Sequence, residues 1–442
     1  MKVTITPTKL SGAITPPPSK SQAHRLIIAA ALGGGISTIS NVARSQDITA
    51  TLSCLGALGM LTEWTGEDQA RLHGLGNSIP QMGPVPYFDC GESGSTLRFL
   101  IPIALAVVGG GVFTGRGRLM ERPQKPYFDL FDEKGIIYEQ KDGGLTVQGT
   151  LPSGEYRLPG DVSSQFITGL LYALPLLEGD SEIVLTTPLE SRDYVAMTLD
   201  VLKQFGITVE RQGFARFRIP GNQRYLSRDT AIEADWSQAG FWYAAAGIGN
   251  DVTVTGMNER SIQGDRIIVD YGRMIDGKPL SGGVKVPIYR GVEGETPPPI
   301  EPVQPPRGGH SASLDVSPCP DLVPPLAVWG ALMNGVLYIK NAARLRIKES
   351  DRLASVTATL NAMGARVKEG PDCLTIIGQT SLAGGVTVDC CNDHRIAMMA
   401  AIAVTRCEQP VTLLGAECVN KSYPSFWEDY QHLGGNIQII DD

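Results

Sequence analysis

The sequence predicts an α/β protein of six repeated units, too long for a single hydrophobic core. Three observations carry this. The chain has 442 residues, more than one core usually serves, so two or three domains are expected. Apolar residues make up 42%, charged residues 19% and aromatics 7%, the balance of an ordinary globular protein. A pattern recurs six times at intervals of roughly 70 to 85 residues.

Each unit opens with small polar residues, runs through an apolar helix, passes glycine and enters a β-branched strand. The openings are Ser19-Lys20-Ser21, Ser93-Gly94-Ser95, Ser163-Ser164-Gln165, Ser237-Gln238, Pro320-Asp321 and Asp393-His394-Arg395. Strands such as Ile36-Ser37-Thr38-Ile39 and Val252-Thr253-Val254-Thr255 follow. A second, amphipathic helix then ends at a glycine suited to the left-handed conformation, as at Gly206 before Ile207-Thr208-Val209 and Gly364 before Ala365-Arg366-Val367. Six such units fit a barrel, a solenoid or two three-unit domains, and length favours two domains of about 200 residues. Proline and glycine crowd residues 277–309, so the fourth unit is expected to carry an irregular insertion there.

Several classes are disfavoured. A formal net charge of -8 opposes nucleic-acid binding without a local basic cluster. The start, Met1 to Pro7, alternates like a strand and has no signal-peptide pattern. The longest apolar run, Phe99 to Phe113, is broken by Gly109, Gly110 and Gly111 and reads as a buried helix and strand rather than a membrane span. Eight cysteines lie without a C-x-x-C pair, which suggests reduced thiols in a cytoplasm, with neither disulfides nor a zinc site.

The openings carry the chemistry. Hydroxyls there cap the helix, while free N–H groups and the positive helix end attract anions. One such opening is only a cap. Lys20, Arg25, Arg98, Arg352 and Arg395, however, lie at or within a turn of helix starts, where cations are unfavourable unless an anion is present. In Lys348-Glu349-Ser350-Asp351-Arg352, preceded by Arg344 and Arg346, the charge run leads into an apolar helix. Asn392-Asp393-His394-Arg395 repeats the arrangement, with Asp393 as cap. Asp321 stands at the mouth of an apolar helix; burial would raise its pKa toward that of a usable base, and a facing lysine would lower it.

From Pro17 to Pro424 these motifs resemble the 5-enolpyruvylshikimate-3-phosphate synthases of the enolpyruvyl transferase family. The likeness rests on Pro18 to Ser21 with Arg25, Gly91 to Arg98, Glu121-Arg122-Pro123, Ser163 to Gln165, Lys348 to Arg352, Asn392 to Arg395 and Lys421-Ser422-Tyr423-Pro424. It implies a two-lobed inside-out α/β barrel, three units per lobe, that closes like a clam on its substrates. Residues 15–233 would form the N-terminal lobe; 1–14 and 234–442 would form the C-terminal one. It implies transfer of the enolpyruvyl group of phosphoenolpyruvate to the 5-hydroxyl of shikimate 3-phosphate, by a monomer that needs no metal or cofactor. The implied shikimate 3-phosphate contacts are Lys20, Ser21, Arg25, Ser163, Ser164, Gln165, Ser191, Tyr194, Asp321 and Lys348. Those to phosphoenolpyruvate are Lys20, Gly94, Arg122, Gln165, Glu349, Arg352, Arg395 and Lys421. Catalysis would fall to Asp321, Glu349, Lys20 and Lys421.

This sequence departs from the common pattern in three places: Glu92 for asparagine, Phe99 for proline, and the insertion around Pro297. The first two bear on inhibition by glyphosate. The sister enzyme acting on UDP-N-acetylglucosamine uses a loop cysteine, and Phe113 to Tyr127 holds none. A binding module or RNA-end-processing repeat protein would need an aromatic and basic stripe that is missing here.

Overall fold

A computed structural model describes residues 1–76, 85–141, 143–277 and 308–440. Most of the expected proline-rich insertion, 278–307, lies outside the described residues. The remainder divides into two compact units. One comprises Met1–Pro16, Asp235–Glu259 and Gly264–Asp442; the other comprises Pro17–Ala234 and Arg260–Gln263.

The unit built on Pro17–Ala234 contains α1 (Lys20–Leu32), α2 (Gln46–Ala57), α3 (Gly94–Val108), α4 (Lys125–Lys134), α5 (Ser164–Ala173) and α6 (Arg192–Gln204). The other contains α7 (Trp236–Gly247), α8 (Ile268–Ile275), α9 (Val323–Ala331), α10 (Arg352–Ala362), α11 (His394–Val404) and α12 (Phe426–His432). Odd-numbered helices are apolar nearly all round, which only a buried position satisfies. Every residue of α9 and α11 is buried. Even-numbered helices show one apolar stripe; α6, for example, buries Val195, Met197, Thr198, Val201 and Leu202.

The repeat is plain in the sheets. In one, Tyr87–Asp89 runs parallel to Gly110–Thr114, which pairs antiparallel with Gly144–Gln148, which pairs antiparallel with Ile137–Lys141. The same order returns in four more four-stranded sheets. A sixth sheet, among the described residues, is the parallel pair Asp251–Val254 and Ser11–Ile14. The first strand, Lys2–Thr6, lies antiparallel between Val411–Leu414 and Asn436–Ile440, so both ends of the chain meet in one sheet. The α/β class and the repeated unit expected from sequence are both present.

Three local expectations are corrected. The strand after α6 begins at Glu210 rather than Ile207. Thr208 is satisfied instead by one side chain: its N–H donates to Gln223 Oε1 at 2.7 Å, and its carbonyl accepts from Gln223 Nε2 at 3.0 Å. The fourth opening is capped by Asp235, whose carboxylate accepts from the N–H groups of Ser237 and Gln238. Asp321 caps no α-helix; it sits in a 3-10 turn, Pro320–Leu322, before α9.

Candidate active site

In the Pro17–Ala234 unit, Ser19, Ser93 and Ser163 cap α1, α3 and α5 with their hydroxyls. At the start of α1, Lys20 Nζ reaches Asp47 Oδ2 at 2.8 Å. Arg25 is buried; it donates to the Ser21 carbonyl at 2.7 Å and to Thr198 Oγ1 at 2.9 Å. Its guanidinium lies 5.4 Å from the Phe99 ring centre and 5.8 Å from that of Tyr194. Burial lowers its pKa, partly opposed by Tyr172 and Tyr194. Ser164 begins α5, and Ser191, with φ of 52°, precedes α6 in the left-handed region.

Gly94 faces the cationic part of this half. A Cβ there would stand 2.9 Å from Arg122 Nη1 and 3.3 Å from Gln165 Oε1. The Gln165 amide is held at both ends: Oε1 accepts from Arg98 Nη1 at 2.9 Å, and Nε2 donates to Ser95 Oγ at 3.0 Å. Arg98 also donates to the Pro123 carbonyl at 3.0 Å and lies 4.7 Å from the Phe166 ring centre. In the sequence Arg98 is only a cation near a helix start. Here it fixes Gln165 and the turn that follows Arg122.

In the other unit, three carboxylates meet three cations. Asp321 Oδ1 lies 2.9 Å from Arg352 Nη1 and 3.4 Å from Lys348 Nζ; its Oδ2 lies 3.1 Å from Arg395 Nη2. Glu349 Oε2 is 2.6 Å from Arg352 Nη2. Asp393, fully buried, accepts from Arg352 Nε at 2.8 Å and from Ser350 Oγ at 2.9 Å. Arg395 also donates to Ser237 Oγ at 3.0 Å. Lys421 is buried, with Nζ 2.6 Å from the Asn392 carbonyl. Asp393, which the sequence offers only as a cap, therefore also anchors Arg352; nothing in local spacing reveals a partner 41 residues away.

The electrostatics follow from burial and pairing. Burial pushes the Asp321 carboxyl up, but Arg395, Lys348 and Arg352 outweigh it and hold it well below its ordinary value. Burial lowers Lys348, against the pull of Asp321 and Glu349. For Arg352 burial works in the same downward direction, yet Asp393, Glu349 and Asp321 leave its pKa above the ordinary one.

The loops before α3 and α11 are built alike. Asp89 Oδ1 accepts from Gly91 N at 2.9 Å, and Asp389 Oδ1 from Cys391 N at 2.7 Å. Gly91 and Cys391 have φ of 58° and 53°. Ser93 and Asp393 then turn their N–H back to the carbonyls of Cys90 and Cys390. Among the described residues no group of three or more His, Cys, Asp or Glu could hold a metal, and no helix is long and apolar enough to cross a membrane.

Residues 5–430 match the family model described as EPSP synthase (3-phosphoshikimate 1-carboxyvinyltransferase). The chain belongs to the EPSP synthase family. It is 46% identical to the 3-phosphoshikimate 1-carboxyvinyltransferase of Clostridium kluyveri, with 98% of each chain covered. To the enzymes of the same name from Clostridium acetobutylicum and Clostridioides difficile it is 44% and 42% identical, again over 98% of this chain. The fold is that of an EPSP synthase structure from Acinetobacter baumannii, at a TM-score of 0.75 with all of both chains covered and 24% identity. The chain is accordingly a transferase, and its EPSP synthase match favours neither the UDP-N-acetylglucosamine reading nor the repeat-protein reading.

Proposed function

We propose that the chain transfers the enolpyruvyl group of phosphoenolpyruvate to the 5-hydroxyl of shikimate 3-phosphate, releasing phosphate, in aromatic amino-acid biosynthesis. The observation that carries the reading at the level of the site is the set of contacts around Asp321. One carboxylate is held by Arg352, Arg395 and Lys348, three cations suited to anions that a substrate would bring. Guanidinium groups bind carboxylate and phosphate bidentately, as a lone lysine does not.

Phosphoenolpyruvate is taken by Lys20, Gly94, Arg122, Gln165, Glu349, Arg352, Arg395 and Lys421. Ser21, Arg25, Ser163, Ser164, Ser191, Tyr194, Asp321 and Lys348, with Lys20 and Gln165, take shikimate 3-phosphate. Asp321 accepts the proton of the 5-hydroxyl as its oxygen attacks C2 of phosphoenolpyruvate. Glu349, together with Lys421, delivers a proton to the methylene carbon. The tetrahedral ketal phosphate then loses phosphate and one methyl proton, which restores the enol ether.

A carboxylate held well below its ordinary pKa is a weak base, and a base works best when its pKa lies near the working pH. Phosphoenolpyruvate resolves this, because its anions take Arg352 and Arg395 away from Asp321 and so raise the carboxylate's proton affinity. The deciding experiment measures phosphate release from phosphoenolpyruvate with shikimate 3-phosphate or UDP-N-acetylglucosamine as acceptor. Release with the first alone is expected; release with the second alone would reject the reading.

A further inference from the structure

A buried chain of four side chains in the Pro17–Ala234 unit is used by none of these roles. His24 Nδ1 lies 2.8 Å from Thr51 Oγ1, which lies 2.6 Å from Thr96 Oγ1. Thr96 Oγ1 donates to Ser93 Oγ at 2.7 Å. The chain starts on α1 one turn beyond Lys20, crosses α2, and ends at the cap of α3, the residue before Gly94. All four side chains are shielded from solvent.

Counting protons gives this chain one direction. A hydroxyl has a single proton to give. Thr96 gives its own to Ser93, so from Thr51 it can only accept. Thr51 then donates to Thr96, sharing that proton at most with the Asp47 carbonyl at 3.2 Å, and has none for His24. His24 must therefore donate from Nδ1 and leave Nε2 bare. Nε2 is buried with no hydrogen-bond partner among the described residues, and the ring stands edge-on to Phe99 at 6.4 Å between centroids. A bare lone pair is tolerable in such a place; an orphaned N–H is rarer in folded proteins. Burial first, then Lys20 and Arg25, also disfavour a second proton.

We propose that His24 is a positioning residue: its Nδ1–H opens a one-way relay that fixes the α3 cap, and with it Gly94, against the helix that carries Lys20. The kinetic half of this proposal rests on reading Lys20 and Gly94 as phosphoenolpyruvate contacts. The space at Gly94 is so tight against Arg122 and Gln165 that a shift of the cap would change how the anion is held, and small misplacements of bound groups are expensive in catalysis.

Two measurements on the full-length enzyme test it. In the 15N spectrum of histidine-labelled protein at neutral pH, the five histidines are sorted by the signal that His24→Asn removes. His24 should show a protonated Nδ1 and a bare Nε2; a protonated Nε2 overturns the relay whether or not the leucine variant folds. In steady-state kinetics, His24→Leu should raise KM for phosphoenolpyruvate about tenfold, the scale of one lost buried hydrogen bond. KM for shikimate 3-phosphate should stay within about twofold. His24→Asn, whose amide nitrogen falls near the lost Nδ1, should restore KM for phosphoenolpyruvate to within about threefold of the parent's. A folded leucine variant with the parent's KM, or an asparagine variant as weak as leucine, overturns the positioning role. If the parent itself releases no phosphate with shikimate 3-phosphate, the functional reading fails while the spectrum still judges the relay.

Discussion

The loops ahead of α3 and α11 share a backbone and differ in what the cap holds. Ser93 takes a proton from Thr96 at the end of a neutral relay and is followed by Gly94, which has no side chain. Asp393 takes Arg352 and Ser350 and is followed by His394 and Arg395. One repeat starts its helix with an uncharged cap and a residue without a side chain, close against Arg122. The other fills it with charges that balance one another. A duplicated turn thus supplies a space in one unit and a counter-ion in the other, and the difference lies in the residues at and after the cap.

The largest expected effect falls on the charged repeat's neighbours. Asp321→Asn and Glu349→Gln should each lower turnover between about a hundredfold and ten-thousandfold, the range for losing a positioned acid or base. Shikimate 3-phosphate binding should stay within a few-fold. Asparagine at position 321 also releases Arg352 and Arg395 from an internal competitor, so phosphoenolpyruvate affinity should hold or rise. Stopped-flow turnover with calorimetric binding checks both; near-parental turnover in a folded variant would leave that carboxylate as a surface or structural charge.

The caps themselves give the sharpest contrast. Asp393→Asn keeps a capping oxygen but takes a charge from the buried Arg352 guanidinium, which should lower unfolding free energy by about 3 kcal/mol or more. Ser93→Ala removes a neutral cap and should cost about 1 kcal/mol. Urea midpoints measure both. Equal losses would mean that Asp393 serves only as a cap and that the two loops do not differ in the way described.

Gly94→Ala probes the empty side. The new methyl would sit 2.9 Å from Arg122 Nη1, so one flexible side chain must move, and KM for phosphoenolpyruvate should rise about tenfold, roughly the 1.4 kcal/mol that a tenfold change represents. An unchanged KM would place the anion elsewhere.

Much of this was legible in the sequence because it is local. Caps at Ser19, Ser93, Ser163 and Asp393 follow from small polar residues set before apolar helices, and Lys348 to Arg352 declares itself as a charge run. Asp235 does not stand out as a cap because Ser237-Gln238 resembles the other openings more closely than Asp235-Trp236 does. The unseen part is pairing over distance. Lys20 meets Asp47 across 27 residues, Arg98 meets Gln165 across 67, and Arg25 meets Thr198 across 173. Periodicity tells which face of an element is apolar, but not which polar groups tertiary packing will place opposite it. The relay from His24 belongs to this class, since its threonines look like ordinary helix residues.

The smallest effect isolates the neutral repeat from the charged one through pH. His24 is held below its ordinary pKa, first by burial and then by Lys20 and Arg25. The unfolded chain therefore binds a proton near pH 6.5 that the folded chain refuses. Stability from this group is fully present above that pH and is lost as pH falls toward the folded-state pKa. The slope is at most about 1.4 kcal/mol per pH unit, the value for one proton. Asp321, depressed from a carboxylate's lower starting value, contributes its own loss only below about pH 4. Between roughly pH 6.5 and 5 the two groups are thus separable. Unfolding free energy of the parent should decline across that window more steeply than that of His24→Asn, which has no such proton to refuse. Parallel curves would mean that His24 titrates alike in both states, and the neutral character of the α3 cap would then not extend to the imidazole at the head of its relay.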